Sequence, residues 1–215
     1  MSVYLDTEAW SRRHLFRLFK DYDQPYFNVC ADVDATALLA FTRERKLSAF
    51  VAYHYLSTKT ANEVEPFRYR LRGERVLIHE RVHAGAIILL PDDSFTFAYF
   101  DFTEEFGAFH ENARALIERA KAAPPPLDAR AGQDDLIYHS VLPWVSFTSI
   151  SHARDSRQRG GIPKVSFGKF REAGGRVLMP VSVEAHHALM DGLHAGRFFE
   201  RLQEHLDDPR AALGV

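Results

Sequence analysis

Three histidines stand within nine positions near the end of the chain, His186, His187 and His194, with Asp191 between them. Imidazole groups bind metal ions or move protons near neutral pH, so chemistry is sought here first. A metal site fits poorly, because His186 and His187 are neighbours on a predicted strand and point to opposite faces, and no cysteine lies nearby. By spacing alone a structural interpretation is favoured: one histidine belongs to the core, and Asp191 caps a helix that begins at Gly192.

Longer sequence motifs lie around these histidines and before them in the chain. Residues 187–192 have the form HxxxDG, and they follow the segment GRVLMP at 175–180. Residues 143–149 read PWVSFTS, a more unusual motif. Together these segments resemble chloramphenicol acetyltransferase, and weaker similarity at nearly constant spacing, from a Trp-x-Arg-Arg motif at 10–13 onward, covers almost the whole chain. HxxxDG alone is shared with other acyltransferases that use coenzyme A or dihydrolipoamide, whereas its combination with PWVSFTS is specific.

The resemblance implies an activity and a general base. The activity is acetyl transfer from acetyl-CoA to a hydroxyl of chloramphenicol, which is associated with antibiotic resistance. His187 matches the residue that removes the proton of the acceptor hydroxyl as its oxygen attacks the thioester carbonyl. That role suits an imidazole with an ordinary pKa of about 6.5. His186 is expected to face the other way and to be structural.

The remaining catalytic positions of the family are matched by Asp191, Arg12, Ser140 and Ser166. Asp191 pairs with Arg12 and so supports the geometry of the site, although without the resemblance Arg12 would be interpreted as a solvated helix charge. Ser140 donates a hydrogen bond to the oxyanion, a contact that can contribute about 3 kcal/mol. Ser166 stands where the family usually has a threonine that helps bind the intermediate through water, and the substitution keeps the donor.

Three residues, Trp144, Lys169 and Phe170, match positions along the path of coenzyme A. The family commonly has tyrosine where Phe170 stands, so stacking is kept and one hydrogen bond is lost. For Lys169, an ordinary exposed lysine on a strand is an equally good interpretation. We therefore expect acetyl-CoA as a co-substrate and no metal.

The acceptor end departs from the family. Residues 151–161 read SHARDSRQRGG where the family has a largely apolar stretch, so His152 and Arg154 replace aliphatic side chains. Ala86 and Ile87 replace an aromatic-threonine pair that could contact the drug. A pocket that gains these polar groups and loses a ring should prefer a different acceptor, either anionic or more polar.

Three functions therefore stay open. The first is an acetyl-CoA-dependent O-acetyltransferase that acts on chloramphenicol or a related hydroxylated compound. The second uses the same machinery on a different, more polar hydroxyl or amine. The third is a non-catalytic ligand-binding or scaffolding relative, which the matching catalytic positions disfavour.

The resemblance also implies an assembly and a fold. The family forms homotrimers with active sites between subunits, so the isolated monomer is expected to be inactive. The implied fold is a two-layer α/β sandwich in which a strand of one subunit extends the sheet of its neighbour.

The elements that must hold these residues are predicted from hydrophobic periodicity and turn residues. Strands are expected at 26–33, 67–71, 75–79, 85–90, 95–102, 136–149, 164–171 and 176–185. Helices are expected at 12–20, from Asp34 to about 45, at 48–62, from 103 to the proline run at 124–126, and at 191–206. Because strands and helices do not alternate strictly, the predicted class is α/β with a large mixed β-sheet and helices packed on one face.

The composition predicts the number of domains, the classes of partner and the cellular location. The 215 residues suggest a single domain, 1–215, and 46% hydrophobic residues are enough for a sizeable core. With 27 Lys and Arg against 29 Asp and Glu, the net charge of -2 argues against a nucleic-acid or membrane-surface partner. A single cysteine, Cys30, and the lack of an apolar leader or spanning segment predict a soluble cytoplasmic protein.

Overall fold

The longest strand of the protein, β10 (Arg176–His186), organises the main sheet. On one side it pairs antiparallel with β2 (Tyr26–Asp34). On the other side it pairs antiparallel with β8 (Lys164–Gly168) and with the short β9 (Arg171–Ala173). The computed structural model describes residues 2–127, 130, 132–155 and 160–215.

Parallel pairing extends this sheet beyond β8. Strand β7 (Leu136–Leu142) runs parallel to β8, and β5 (His83–Leu89) runs parallel to β7. Strand β6 (Phe95–Phe100) then closes the far edge in an antiparallel hairpin with β5. The order β2-β10-β8-β7-β5-β6, with β9 beside β10, makes a seven-stranded mixed sheet as the sequence predicts.

Helices cover one face of this sheet. Alternate strand residues such as Val165, Phe167, Val181 and Val183 turn toward the helices and are fully buried in the main core, as expected for strands with a period of two. The helices in contact with its strands are α2 (Thr36–Glu44), α3 (Ala49–Glu63), α4 (Phe106–Ala122) and α5 (Gly192–Asp207), and α6 (Pro209–Leu213) packs against this helical layer. Helix α1 (Arg13–Phe19) belongs to a separate cluster.

A second, smaller sheet lies near the amino terminus. It consists of β1 (Val3–Tyr4), β4 (Arg75–Ile78) and β3 (Tyr69–Arg72), in that order and all antiparallel. The turn between β3 and β4 contains Gly73 at a φ of +59°, a conformation that glycine adopts without steric cost.

A separate apolar cluster links this small sheet to the end of β10. Phe16 of α1 packs there with Tyr69 and Val76 of the hairpin. Ala188 and Leu189, which directly follow His187, are buried in the same cluster. The packing therefore fixes both α1 and the segment that carries the HxxxDG motif.

Several predicted boundaries are wrong in detail. The helices predicted from Asp34 and from 103 begin at Thr36 and Phe106, after the N-caps Ala35 and Glu105. The strand predicted at 136–149 ends at Leu142, because Pro143 has no N–H group to continue the ladder. The strand predicted at 164–171 is divided at residues 169–170, where the chain leaves β8 before β9. The hairpin predicted from 67 begins at Tyr69, since a 3-10 turn occupies Glu65–Arg68. Among the described residues, no helix is long and apolar enough to cross a membrane.

Candidate active site

The amino terminus of α5 holds Asp191 as its N-cap. One carboxylate oxygen, Oδ1, accepts a hydrogen bond from the Leu193 N–H at 3.1 Å. The backbone N–H of Asp191 donates to His194 Nδ1 at 3.1 Å, which completes a capping box. His194 is held with a pKa below its ordinary value because burial disfavours the charged imidazole. The capping role predicted from spacing alone is thus present.

The same aspartate forms an ion pair with Arg12. Arg12 Nη1 donates to Asp191 Oδ2, and Arg12 Nη2 donates to the carbonyl oxygen of His187 at 3.2 Å. Burial by itself would raise the pKa of Asp191, but the Arg12 guanidinium and His194 more than offset it, so the pKa lies below the ordinary value. Asp191 is therefore a helix cap and an ion-pair partner at once, and Arg12 joins it to the backbone of His187.

His187 directly follows the last residue of β10, where aromatic side chains enclose its ring. The imidazole stacks on Phe19 with ring centroids 4.0 Å apart and planes 4° from parallel. Phe27 lies 4.9 Å away on a tilted plane, and the His187 N–H donates to the Pro25 carbonyl at 2.7 Å. Its Nδ1 is buried without a hydrogen-bond partner within the described ranges, so Nε2 is the nitrogen available for proton exchange.

His186 has different surroundings, as its predicted structural role requires. It is buried, its ring meets the edge of Tyr26 with centroids 4.9 Å apart, and its Nδ1 accepts from the Ala188 N–H at 3.2 Å. Within the described part of the chain, no three His, Cys, Asp or Glu side chains form a group that could hold a metal ion.

A cavity of about 740 Å³ opens on the sheet face opposite the helices. Ser140 lines it, together with Ile87 and the aromatic residues Tyr99 and Tyr138. His187 is not among the lining residues. One chain therefore brings Arg12, Asp191 and His187 together, and separately places Ser140 in a cavity, but it does not join the two groups.

Ser140 belongs to a row of serines that crosses three strands. It pairs in register with Ser166 of β8, which pairs in turn with Ser182 of β10. Ser166 is fully buried, and its hydroxyl lies 3.0 Å from His152 Nε2. Its predicted role in binding the reacting group stays a prediction, and any such role would act through His152.

The predicted coenzyme A residues converge at the carboxyl ends of β7 and β8. The Lys169 N–H donates to the Val145 carbonyl at 2.9 Å, which fixes the loop that carries the exposed Trp144. Phe170 follows Lys169, and its ring centroid lies 6.4 Å from that of Tyr53. Lys169 is exposed and has no acidic partner in the described part of the chain.

The polar segment 151–161, which was predicted to alter the acceptor pocket, contacts Glu184, an acidic residue that was not predicted to lie there. Arg154 donates through Nη2 to Glu184 Oε1, and its guanidinium carbon lies 3.4 Å from the Tyr26 ring centroid. His152 Nδ1 is 3.7 Å from Glu184 Oε2. The only available signal was an acidic residue in the otherwise apolar run 177–185. Residues 156–159 of that segment lie outside the described residues.

Comparisons with known proteins point to one family. The family model described as "Chloramphenicol acetyltransferase" matches residues 2–203. A chloramphenicol acetyltransferase of Bacillus pumilus is 26% identical over 205 residues, which cover 94% of this chain and 93% of that protein. A chloramphenicol acetyltransferase of Streptomyces acrimycini is 29% identical over 216 residues, which cover 95% of this chain and 94% of that protein. A solved structure described as chloramphenicol acetyltransferase matches with a TM-score of 0.86 and 27% identity over 96% of this chain and 100% of that one.

Proposed function

The chain belongs to the chloramphenicol acetyltransferase family, and from this premise we propose that it transfers the acetyl group of acetyl-CoA to a hydroxyl of chloramphenicol. The observation that carries the proposal is the double contact of Arg12, which binds the Asp191 carboxylate and the carbonyl oxygen of His187. It fixes the backbone of His187, whose ring stacks on Phe19 and whose buried Nδ1 has no hydrogen-bond partner among the described residues.

His187 is proposed as the general base. Nε2 takes the proton of the acceptor hydroxyl as its oxygen forms a bond to the acetyl carbonyl carbon, and the proton is then returned to the departing sulfur. The products are an acetyl ester and a free thiol, so atoms and charge balance. Stacking on Phe19 limits rotation of the imidazole, which keeps Nε2 in one direction.

Ser140 is proposed to donate a hydrogen bond to the oxyanion that develops on the acetyl group. Its position in the cavity supports this role, because a donor must face the space where the acceptor reacts. Ser166 is proposed to help through His152, with which it shares a hydrogen bond.

Acetyl-CoA supplies an activated acetyl thioester when it is bound. Trp144, Lys169 and Phe170 suit such a co-substrate, because an exposed indole and a phenyl ring offer apolar contact and a lysine without an acidic partner offers a charge for phosphate. These three residues are proposed to bind it.

A homotrimer with active sites between subunits is part of this proposal. His187 does not line the cavity that holds Ser140 in its own chain, so a neighbouring subunit must supply the base. The long strand β2 lies at the edge of the main sheet, where a strand from another chain can pair. We further propose that residues 1–215 act as one domain, and that the protein works in the cytoplasm, where acetyl-CoA is supplied.

The first experiment follows the release of free thiol from acetyl-CoA with chloramphenicol as acceptor. We expect His187→Ala to lower kcat by about 10²- to 10⁴-fold, the range for loss of a general base. The exposed His14 provides the control, and His14→Ala should keep full activity. Full turnover by His187→Ala would contradict the mechanism.

A second candidate uses the same machinery on a more polar alcohol or an amine. The pair of Arg154 and Glu184 beside the cavity favours it. Acetylation of such an acceptor without turnover of chloramphenicol would select this function. Binding of acetyl-CoA with no thiol release for any acceptor would select a non-catalytic relative.

A further inference from the structure

One wall of the cavity carries charged groups of both signs around Glu184. This carboxylate is almost fully buried, at 6% exposure; its Oε1 accepts a hydrogen bond from Arg154, and His152 Nδ1 lies 3.7 Å from its Oε2. Burial by itself would raise the pKa of Glu184, but the contacts with His152 and Arg154 hold the pKa below its ordinary value, so the side chain is ionised. Glu184 thus neutralises Arg154.

A second cation stands beside this pair. Lys164 lies opposite Glu184 in the ladder between β8 and β10, and it lines the cavity. Its Nζ donates to the Ala153 carbonyl at 3.3 Å, and it forms no ion pair with a carboxylate in the described part of the chain. Burial and the nearby Arg154 lower the pKa of Lys164, and the attraction of Glu184 offsets this only in part.

The other charged residues that line the cavity in the described part of the chain already have partners. Asp134 binds Arg72 at 2.5 Å and also contacts His79, and Arg130 lies 3.4 Å from Asp101. Asp155 has an interaction of its own. Arg154 and Lys164 line the cavity, and Glu184 lies next to both of them. Among the described residues this group of three therefore carries one net positive charge, which a single carboxylate would neutralise.

The rest of the cavity is aromatic and of suitable size. Tyr26, Phe97, Tyr99 and Tyr138 all line it, and Ser140 lies in the same space. At about 740 Å³ the cavity can take an acceptor that has a ring, a hydroxyl and one further group.

From this arrangement we infer that Lys164, assisted by Arg154, binds the carboxylate of the acceptor, so that the protein also acetylates aromatic alcohols that carry a carboxylate. Binding depends only on the cavity, whereas acetylation rests on the proposed function. The chemistry is unchanged: the hydroxyl oxygen gains the acetyl group, and coenzyme A leaves as the free thiol.

The test uses 4-(hydroxymethyl)benzoate and its methyl ester, which differ in the negative charge and share the ring and the alcohol. Titration calorimetry of the full chain at pH 7 in a buffer without carboxylates gives both Kd values. We expect the acid to bind at least tenfold more tightly than the ester. Lys164→Gln should remove that difference, and Lys164→Arg should keep most of it because the positive charge is retained.

Lys121→Gln is the matched control, since Lys121 is an exposed lysine at the end of α4, pairs with Glu118 and is not among the residues that line the cavity. Arg154 is left unchanged in these variants, because its removal would leave the buried Glu184 without its cation. Equal Kd values for acid and ester in the unaltered protein, or no binding of the acid, would overturn the inference.

Thiol release measured with the same two probes and with chloramphenicol separates this inference from the proposed function. Tighter binding of the acid without thiol release from any acceptor would leave the carboxylate site standing and refute the proposed function. Turnover of chloramphenicol with equal Kd values for acid and ester would refute the carboxylate site and leave the proposed function standing.

Discussion

Arg12 and Asp191 are 179 positions apart in the chain, yet their contact fixes the backbone at His187. The guanidinium has donors for two acceptors at once, and its planar shape lets it reach both. A lysine offers charge at one point and cannot reproduce this geometry. We therefore propose that Arg12 is a positioning residue, because it is not among the residues that line the cavity where the acceptor is proposed to bind.

We expect Arg12→Lys to lower kcat by about 10- to 100-fold with little change in either KM, since a displacement of the base near 1 Å can have that effect. Steady-state thiol release at varied acetyl-CoA and chloramphenicol measures both constants. Arg17→Lys is the control, because Arg17 pairs with Glu8 on the exposed face of the same helix. A rise in KM with unchanged kcat would assign Arg12 to binding instead.

At the scale of elements, the parallel ends of β7 and β8 determine where the proposed coenzyme A residues meet. Gly168 ends β8, and a Cβ atom there would lie 3.0 Å from the Val145 carbonyl oxygen and from the Phe147 ring. Only glycine permits this close approach without displacing the loop. The loop is the one that carries Trp144, so the packing of a strand end positions a proposed binding residue.

Gly168→Ala should raise the KM for acetyl-CoA several-fold and lower the free energy of unfolding by about 1–3 kcal/mol, the usual cost of overpacking. Initial rates at varied acetyl-CoA and urea unfolding measure the two effects. Gly107→Ala is the matched control, because a Cβ at this position in α4 meets nothing within 4 Å. That change should leave KM unaltered and be neutral or slightly stabilising. An unchanged KM in Gly168→Ala would show that the loop does not bind acetyl-CoA.

At the scale of the whole molecule, two buried histidines join the helical layer to the sheet. His54 of α3 and His139 of β7 have ring centroids 5.0 Å apart, and both are almost completely buried. Burial lowers the pKa of His54 to about 4, and it also lowers the pKa of His139 well below the ordinary value. His139 Nε2 also lies 2.9 Å from the Ser57 hydroxyl. The surroundings of both histidines therefore favour the neutral form of the imidazole.

Because an unfolded histidine titrates near pH 6.5, only the unfolded chain takes up these protons between pH 6.5 and 4. The contribution of these histidines to the free energy of unfolding should therefore be constant above pH 6.5. Below pH 6.5 the free energy of unfolding should fall as the pH drops. For His54 alone the loss at pH 5 is about 2 kcal/mol, from a folded pKa of about 4. Urea unfolding at pH 7.5 and pH 5.0, at one fixed protein concentration, measures it.

His54→Phe should reduce that loss, because phenylalanine suits the aromatic surroundings of Phe50 and Phe167 and does not titrate. His14→Phe changes an exposed histidine and should leave the pH dependence as it was. The explanation is refuted if His54→Phe loses as much stability between pH 7.5 and pH 5.0 as the unaltered protein does.

Local patterns in the sequence predicted most of the elements. The terminal helix begins after Asp191, as that capping residue predicts. The helices predicted from Asp34 and from 103 begin later, at Thr36 and Phe106. Strand β10 was predicted to within one residue, because its apolar run is long and is bounded by glycines on one side. The strand predicted at 136–149 ran too far, since the apolar pattern continues past Pro143 although pairing cannot.

The sequence by itself determined the family and the position of the HxxxDG motif, because residue types at fixed short spacing are written in the chain. Only the tertiary structure decided that Glu184 neutralises Arg154 and leaves Lys164 beside the cavity without an ion-pair partner among the described residues. It also decided that His187 and Ser140 lie apart in one chain. The reason is physical: periodicity assigns a side chain to a face, whereas strand register and packing select which distant side chains meet.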